Sequence, residues 1–232
     1  SIYGSGCAAG IVAIMNPYEL ATSSIDNVTV TGSTIVGKSS HAAGIVCVDF
    51  AANITTAKVK DSTITANAST ASGIAGIIFA TMNDVEVDNT TITSGTDMAG
   101  GISANPKSTI TNVKVKDTNV SGQRCTGGVA GISSGIIDQV EVDNVEVTTE
   151  SQSGANCLAG GVAGCALNTV SNAEVKDSTI TGKDLAGGAT GFASTLNGIT
   201  IDNVNVNAEN CAGGVVGCTP SPITNVNVKD ST

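Results

Sequence analysis

Aromatic residues are almost absent from this chain. They make up 2% of its 232 residues, and Trp does not occur. Globular cores usually need large side chains such as Leu, Phe and Trp to fill a thick interior. Here the apolar 41% is mainly Val, Ile and Ala, which suit strands around a thin core. The composition excludes a disordered tail and favours an all-β fold.

Basic residues are also scarce. The chain has 10 Lys and Arg against 20 Asp and Glu, a net charge of -10 and a pI near 4.3. Nucleic acid and anionic lipid both require a basic face, so neither is an expected partner. No apolar run approaches the roughly 18 residues of a membrane span, so we expect no membrane insertion. Because the chain begins with Ser1 and not with Met, we expect processing or trimming upstream.

Two short motifs alternate along the whole sequence. A glycine motif, clearest as AGGVAG at Ala159–Gly164, alternates with a strand motif such as TNVKVKDTNV at Thr111–Val120. Extra residues near Asn16–Ser23 and Thr148–Asn156 are predicted loops. The steps of 26 to 33 residues between strand motifs predict eight coils of about 28 residues in one domain over residues 1–232. The second apolar residue of the strand motif recurs as Val30, Val59, Val87, Val115, Val142, Val175, Ile201 and Val228.

Within each repeat the hydrophobic period is two. Apolar and polar residues alternate through Asn112–Lys116, as in a half-buried strand, and a turn follows at Asp117. The glycine motif supplies another strand, so that each coil is predicted to hold three short strands. The sequence therefore predicts a β-solenoid, expected to be a right-handed parallel β-helix.

Charge alternates at one position of successive coils. Stacked like charges about 4.8 Å apart would repel, whereas alternating signs attract, so we interpret this series as a device that fixes the register of the coils. The predicted charge ladder consists of Lys60, Asp88, Lys116, Asp143, Lys176, Asp202 and Lys229.

The repeat resembles a known family. The AGGVAG block, followed by a strand such as TVSNAEVKDSTITG, is similar to the glycine-rich GLUG-type repeats of bacterial and archaeal surface proteins and adhesins. The sequence departs from the commoner form because it lacks the usual aromatic residues. The resemblance implies a secreted or surface-attached solenoid without a defined activity.

Residues suited to catalysis are few. Polysaccharide lyases and hydrolases also use parallel β-helices, but they need clustered acids or bases and aromatic residues that stack on sugars. This chain has one His, His41, interpreted as a solvated loop residue, and one Arg, Arg124. It has no GGxGxD repeat, EF-hand spacing or CxxC pair, which disfavours calcium and zinc sites. We expect no enzyme activity, no cofactor and no metal, with a carbohydrate-active enzyme as a minor alternative.

Ice binding is a further alternative. Thr-x-Thr columns on a flat solenoid face could match an ice lattice, as in Thr63/Thr65 and Thr91/Thr93. Glu146 interrupts the column, and Thr is favoured on exposed strands in any case. We rank ice binding low for this reason.

The seven cysteines recur at a few repeat positions. Cys125 and Cys157 lie at nearly the same position of adjacent coils, which predicts a disulfide between them in an oxidising extracellular setting. Cys7 and Cys211 share a position in the first and last coils, which predicts a cross-link between subunits stacked head to tail. Cys165 and Cys218 lie two coils apart, so they are expected to be free or to form lateral disulfides between copies. Buried thiols in a small-residue core remain the alternative.

These features favour a structural extracellular β-solenoid that self-assembles into a cell-surface filament, sheath or envelope layer. The alternative is an adhesin stalk or binding module. The two differ in self-association, because a building block polymerises alone and a stalk stays monomeric. Glycosylation, the full disulfide connectivity and trimming from a longer repeat array stay open.

Overall fold

The computed structural model describes residues 1–15, 23–50, 52–150 and 157–232. These residues form thirty β-strands, and they include no helix that could cross a bilayer. The two predicted insertion loops, near Asn16–Ser23 and Thr148–Asn156, lie largely outside the described residues. All strand pairs are parallel and join residues of successive repeats.

Two sheets have eight strands each. The first sheet consists of Ile2–Gly4, Thr34–Gly37, Thr63–Ala66, Thr91–Ser94, Asn119–Gly122, Glu146–Thr149, Thr179–Gly182 and Asn205–Ala208. The second sheet consists of Ala8–Ala9, Ala42–Ala43, Ala71–Ser72, Ala99–Gly100, Cys125–Gly127, Leu158–Gly160, Leu185–Gly187 and Cys211–Gly213.

The third sheet has fourteen strands in two arms. The short arm holds Val12–Met15, Val46–Asp49, Ala75–Ile78, Ser103–Pro106, Ala130–Ser133 and Val216–Cys218. The long arm holds Ser24–Thr31, Asn53–Lys60, Met82–Asp88, Ile110–Lys116, Ile137–Asp143 and Ile223–Lys229. Two long strands, Ala163–Lys176 and Thr190–Asp202, run through both arms and join them.

The predicted all-β parallel solenoid is confirmed, with two corrections. The count of eight coils becomes about seven turns, because eight strands on a face are joined by seven turns. A typical turn also has four strand segments, where the sequence predicted three. The missed segments are the two- or three-residue strands of the second sheet, such as Ala42–Ala43, which are too short to show a period in the glycine motif. The right-handed sense stays a prediction.

β-Branched side chains fill a narrow core. Each first-sheet strand points one Ile or Val inward, and in-register pairing stacks these residues into a continuous column. The column is 0–8% exposed and consists of Ile35, Ile64, Ile92, Val120, Val147, Ile180 and Val206. Stacked Ile and Val therefore supply the burial that aromatic residues supply in thicker cores.

Two columns of residues adopt left-handed backbone conformations, with φ between 45° and 67°. Asn, Asp and Gly tolerate this region best, which explains why they recur at these places. One column interrupts each long-arm strand and consists of Asn27, Thr56, Asp84, Asn112, Gln139, Asn172, Gly198 and Asn225. The other forms the turn after each strand and consists of Gly32, Asp61, Asn89, Asp117, Asn144, Asp177, Asn203 and Asp230.

The leading glycines of the glycine motif are required by close stacking. A Cβ atom on Gly101 would overlap the carbonyl oxygen of Gly128 in the next turn and approach Val115. We therefore expect Gly101→Ala to lower the free energy of unfolding by about 2 kcal/mol, the usual cost of overpacking. Urea unfolding followed by circular dichroism measures this loss. Gly6→Ala is the matched control, because a Cβ on Gly6 meets nothing within 4 Å; equal losses in both variants would contradict the explanation.

Candidate functional site

The predicted charge-ladder residues lie on the outer surface of the long arm. Its eight strands are numbered here as rows 1 to 8 from the N-terminal side, with rows 6 and 7 supplied by the two long strands. In-register pairing places each ladder residue directly beside the next: Lys60, Asp88, Lys116, Asp143, Lys176, Asp202 and Lys229. Alternate signs therefore lie side by side across rows 2 to 8.

Ion pairs join some of these rows directly. Lys60 Nζ lies 2.8 Å from Asp88 Oδ2, and Lys229 Nζ lies 3.5 Å from Asp202 Oδ2. Lys116 departs from the predicted ladder, because its ammonium reaches diagonally to Glu141, at 3.3 Å, in the neighbouring column. The long lysine side chain makes both arrangements accessible.

Glu141 is the centre of the most connected group. Its carboxylate accepts Lys114 at 3.0 Å, Lys116 at 3.3 Å and Lys176 at 3.5 Å. The hydrogen bond from Lys114 is the main cause that lowers the pKa of Glu141 to about 2, and Lys116 adds to the effect. The sequence shows the alternation of Glu and Lys in this column, but not that one carboxylate serves three lysines.

A second polar network has a period of two rows. Amide groups in the turn column donate to carboxylates of the preceding row, with N···O distances of 2.6–2.7 Å. These bonds join rows 2 and 3, rows 4 and 5, and rows 6 and 7. The pairs are Asn89 to Asp61, Asn144 to Asp117, and Asn203 to Asp177.

The remaining boundaries between rows are bridged by side chains next to the column of left-handed residues inside the long-arm strands. Hydroxyl groups of even rows donate to Asp or Asn side chains of odd rows, with O···O distances of 2.7–3.0 Å. The pairs are Thr55 to Asp26, Thr111 to Asn83, Ser171 to Asp138, and Thr224 to Asn197. The two networks interleave, so that one or the other crosses every boundary between rows 1 and 8.

The long arm forms a shallow polar groove of about 690 Å³ around Glu86, Lys114, Glu141 and Glu174. A general acid needs a carboxyl group with a raised pKa. The lysines have the opposite effect on Glu141 and hold it ionised. Among the described residues, no group of three or more His, Cys, Asp or Glu side chains could hold a metal ion. The charged side chains that line the groove are therefore suited to holding neighbouring rows in register.

His41 differs from its interpretation as a solvated loop residue. Its side chain is partly buried, and Nδ1 lies 2.7 Å from Thr70 Oγ1 and 3.2 Å from Ser69 Oγ. Burial lowers the pKa of His41, whereas the charge of Asp97 acts in the opposite direction. The imidazole contacts Thr70 and Ser69 because these residues belong to the next turn of the solenoid. The linear sequence does not show that they are neighbours.

The Thr-rich surface considered for ice binding is the outer face of the first sheet. Thr63 pairs with Thr91, and Asn119 pairs with Glu146 in the same column. Glu146 is exposed and lies between Asn119 and Thr179. The structure thus places a carboxylate in the middle of this column.

All seven cysteines lie along one side, where the second sheet meets the short arm. We call this side the cysteine corner; it contains Cys7, Cys47, Cys125, Cys157, Cys165, Cys211 and Cys218. No disulfide joins them in the structure, so the predicted Cys125–Cys157 bond is not observed. The register pairs Cys125 with Leu158 and places Cys157 one residue earlier, opposite Arg124, and the disulfide stays a prediction. The predicted Cys7–Cys211 link requires a second subunit and stays a prediction.

Comparison with known proteins identifies the architecture. No protein-family model and no curated protein matches the chain in sequence, so the resemblance to GLUG-type repeats stays a prediction. The chain is similar to the crystal structure of a putative immunoglobulin A1 protease from Bacteroides ovatus, with a TM-score of 0.62 and 16% identity. The match covers 85% of this chain and 69% of that chain. At this identity, the likeness concerns the fold alone.

The ion pairs of Glu141 predict a specific loss of stability in acid. A carboxyl group whose pKa is lower in the folded state stabilises above its unfolded pKa, near 4.5, and this contribution disappears as pH falls toward about 2. We expect Glu141→Gln to cost about 1 kcal/mol at pH 7 and to remove part of the acid sensitivity between pH 5 and 2. Urea midpoints measured at several pH values test this.

Glu146→Gln is the matched control for Glu141→Gln. Glu146 is exposed, and it forms no ion pair within the described ranges. Its substitution should leave both the pH 7 midpoint and the pH profile unchanged. Parallel pH profiles of the wild type and Glu141→Gln would show that the three lysines contribute nothing specific.

Proposed function

We propose that this chain is a structural β-solenoid that stacks end on end with further copies of itself to build a cell-surface filament, sheath or envelope layer. A structural role is supported by the side-chain networks of the long arm, because their hydrogen bonds and ion pairs join neighbouring rows. The extracellular location is supported by the resemblance to GLUG-type surface proteins.

An open edge carries the proposal. In row 8, Val226 and Val228 are 38% and 46% exposed, whereas Val113 and Val115, at the same positions of row 4, are 1% and 0% exposed. An unpaired strand edge with exposed core residues is a template for another strand. A further copy or a continuation of the same chain could cover it, and the proposal commits to a further copy.

The opposite edge fits this partner. Ile11, beside the first strands, is 49% exposed, whereas its counterpart Ile45 in the next turn is fully buried. Joining the two edges would bury both sets of apolar side chains. Lys229 of one copy would meet the neutral Thr31 of the next, so no like charges would face each other.

The polar networks are compatible with continuation. Row 8 is even and row 1 is odd, so a copy added after row 8 would continue the row order in phase. The hydroxyl contacts of Thr224 and Asp26 are already made within the chain. Gly32 stands where Asn89 donates, so no turn-column amide of the next copy would reach Asp230. The same stacking would place Cys211 of one copy beside Cys7 of the next, where an intersubunit disulfide could lock the junction.

An adhesin stalk is the second candidate. Phe50 and Phe79 stack with ring centroids 5.4 Å apart, and they are 47% and 49% exposed. Exposed aromatic side chains of this kind often contact partners or sugars. A stalk would use such a surface while remaining monomeric.

Proteolysis is a third candidate, because the solved protein that shares the fold is named as a putative protease. His41 and Ser69 would be the residues to use, because their side chains are 3.2 Å apart. The arrangement is poorly suited to a catalytic triad, since the Asp97 carboxylate pairs with Arg124 at 3.4 Å. At 16% identity, the neighbour's name is weak support.

Stacking predicts that a charge on the open edge blocks assembly. Val226→Lys would place an ammonium group among the apolar side chains of the junction, so the variant should form none of the filaments that we expect of the wild type in negative-stain microscopy. Sedimentation velocity, with and without reductant, should show the variant as a monomer.

Asn227→Lys is the matched control for Val226→Lys. Its side chain points outward from the same strand, at the position that Lys58 and Lys114 occupy in rows 2 and 4. This variant should still assemble. A wild-type chain that remains monomeric over a wide concentration range would overturn the stacking proposal and favour the stalk.

A further inference from the structure

Cys47 occupies a position that is otherwise reserved for the smallest residues. It lies second in its short-arm strand, Val46–Asp49, and it is fully buried. In-register pairing defines the equivalent residue of every turn. The column reads Ala13, Cys47, Gly76, Ala104, Gly131, Gly164, Gly191 and Gly217.

The geometry explains this preference. A Cβ atom on Gly131 would lie 2.9 Å from the Cβ atom of Met98, and a Cβ atom on Gly217 would lie 3.1 Å from that of Leu185. Met98 and Leu185 each come from the second-sheet side of the preceding turn. Two ordinary side chains cannot approach so closely, so one of the two positions is kept small.

Cys7 holds the place of Met98 and Leu185 in the turn that precedes Cys47. Like Met98, it stands immediately before an alanine of the second sheet, and Ala8 pairs with Ala42 as Ala99 pairs with Thr126. Cysteine therefore stands on both sides of a contact that elsewhere joins a large residue to a small one. A disulfide holds two Cβ atoms about 3.8 Å apart, a separation that two positions in such close contact reach by a small outward shift from the 2.9–3.1 Å found at Gly131 and Gly217.

The contacts of the two thiols agree with this placement. Cys47 Sγ donates to the carbonyl oxygen of Ala8 at 2.8 Å, next to Cys7 in the chain. The Cys7 Sγ is 3.7 Å from Ser40 Oγ, on the turn that carries Cys47. Burial is the main cause that raises the pKa of Cys47 to about 12, and the Cys7 thiol contributes.

We propose that Cys7 and Cys47 form an intramolecular disulfide that ties the first turn of the solenoid to the second. With a low-molecular-weight disulfide such as oxidised glutathione as the oxidant, the partly exposed Cys7 thiolate attacks one glutathione sulfur and releases one glutathione. Cys47 then loses its proton, attacks the Cys7 sulfur and releases the second glutathione. Two thiols are oxidised to one disulfide, and one glutathione disulfide is reduced to two thiols.

This bond has a consequence for assembly but does not depend on it. Cys7 cannot at the same time be joined to Cys211 of another copy, so an oxidised chain would stack without a covalent junction through Cys7. The Cys7–Cys47 bond forms within one chain, whether or not the chains stack.

Peptide mapping after oxidation tests the proposal. The folded chain is incubated with oxidised glutathione at low protein concentration, alkylated, and separated on a non-reducing gel, and the monomer band is digested. We expect a peptide that joins Cys7 to Cys47, with the mass of two hydrogen atoms lost. Reduction should then lower the thermal midpoint by roughly 5 °C.

Two variants complete the design. Cys47→Ala introduces the residue found at the equivalent Ala104, so it should fold, lack the linked peptide and show no midpoint change on reduction. Cys211→Ser removes the alternative partner and should keep both signals. The proposal is wrong if Cys7 and Cys47 both remain alkylatable after oxidation. It is also wrong if Cys7 is recovered joined to Cys211 in a dimer band, a result that would support the stacking proposal instead.

Discussion

Parallel in-register stacking is the constraint on which the rest of this structure depends. Successive residues of each turn form backbone hydrogen bonds with the following turn, as between Gly101 N and Gly127 O or Asn89 N and Lys116 O. Within the paired strands, each side chain is therefore stacked beneath its counterpart from the following turn. An apolar column such as the one through Ile64 and Ile92 gains from stacking like on like, whereas a charged column would repel itself.

In the polar long arm, opposite charges and hydrogen-bond donors and acceptors alternate from row to row, which avoids this repulsion. Where Lys60 precedes Asp88, or where Asn89 donates to Asp61, the two members of a pair belong to different rows, so the contact forms only when these rows are neighbours. Each exposed pair contributes little to stability. Their combined effect is on register, because a slip by one row would set like charges beside each other along the whole face.

The sequence alone is sufficient to predict the architecture, because the repeat and its period of two are local patterns. The ladder positions could also be read directly, since they follow from the repeat alignment. The diagonal contacts of Glu141 could not, because they depend on where three lysine side chains converge. The Cys125–Cys157 disulfide stays a prediction, and the exact register is what the sequence could not supply: an irregular repeat leaves the alignment uncertain by one residue, and the structure pairs Cys125 with Leu158. Contacts between columns, such as the one between Cys7 and Cys47, need the corner geometry that only the folded chain supplies.

The interleaved networks make two rows, not one, the true repeating unit of the long arm. Deleting a single repeat would bring two acceptor rows or two donor rows together and would break the alternation of Lys and Asp at the same boundary. Removing or duplicating a pair of repeats would leave every boundary as it is. Gene rearrangements that lengthen or shorten this solenoid are therefore expected to survive when they change it by an even number of repeats. Its length would then vary by two repeats at a time.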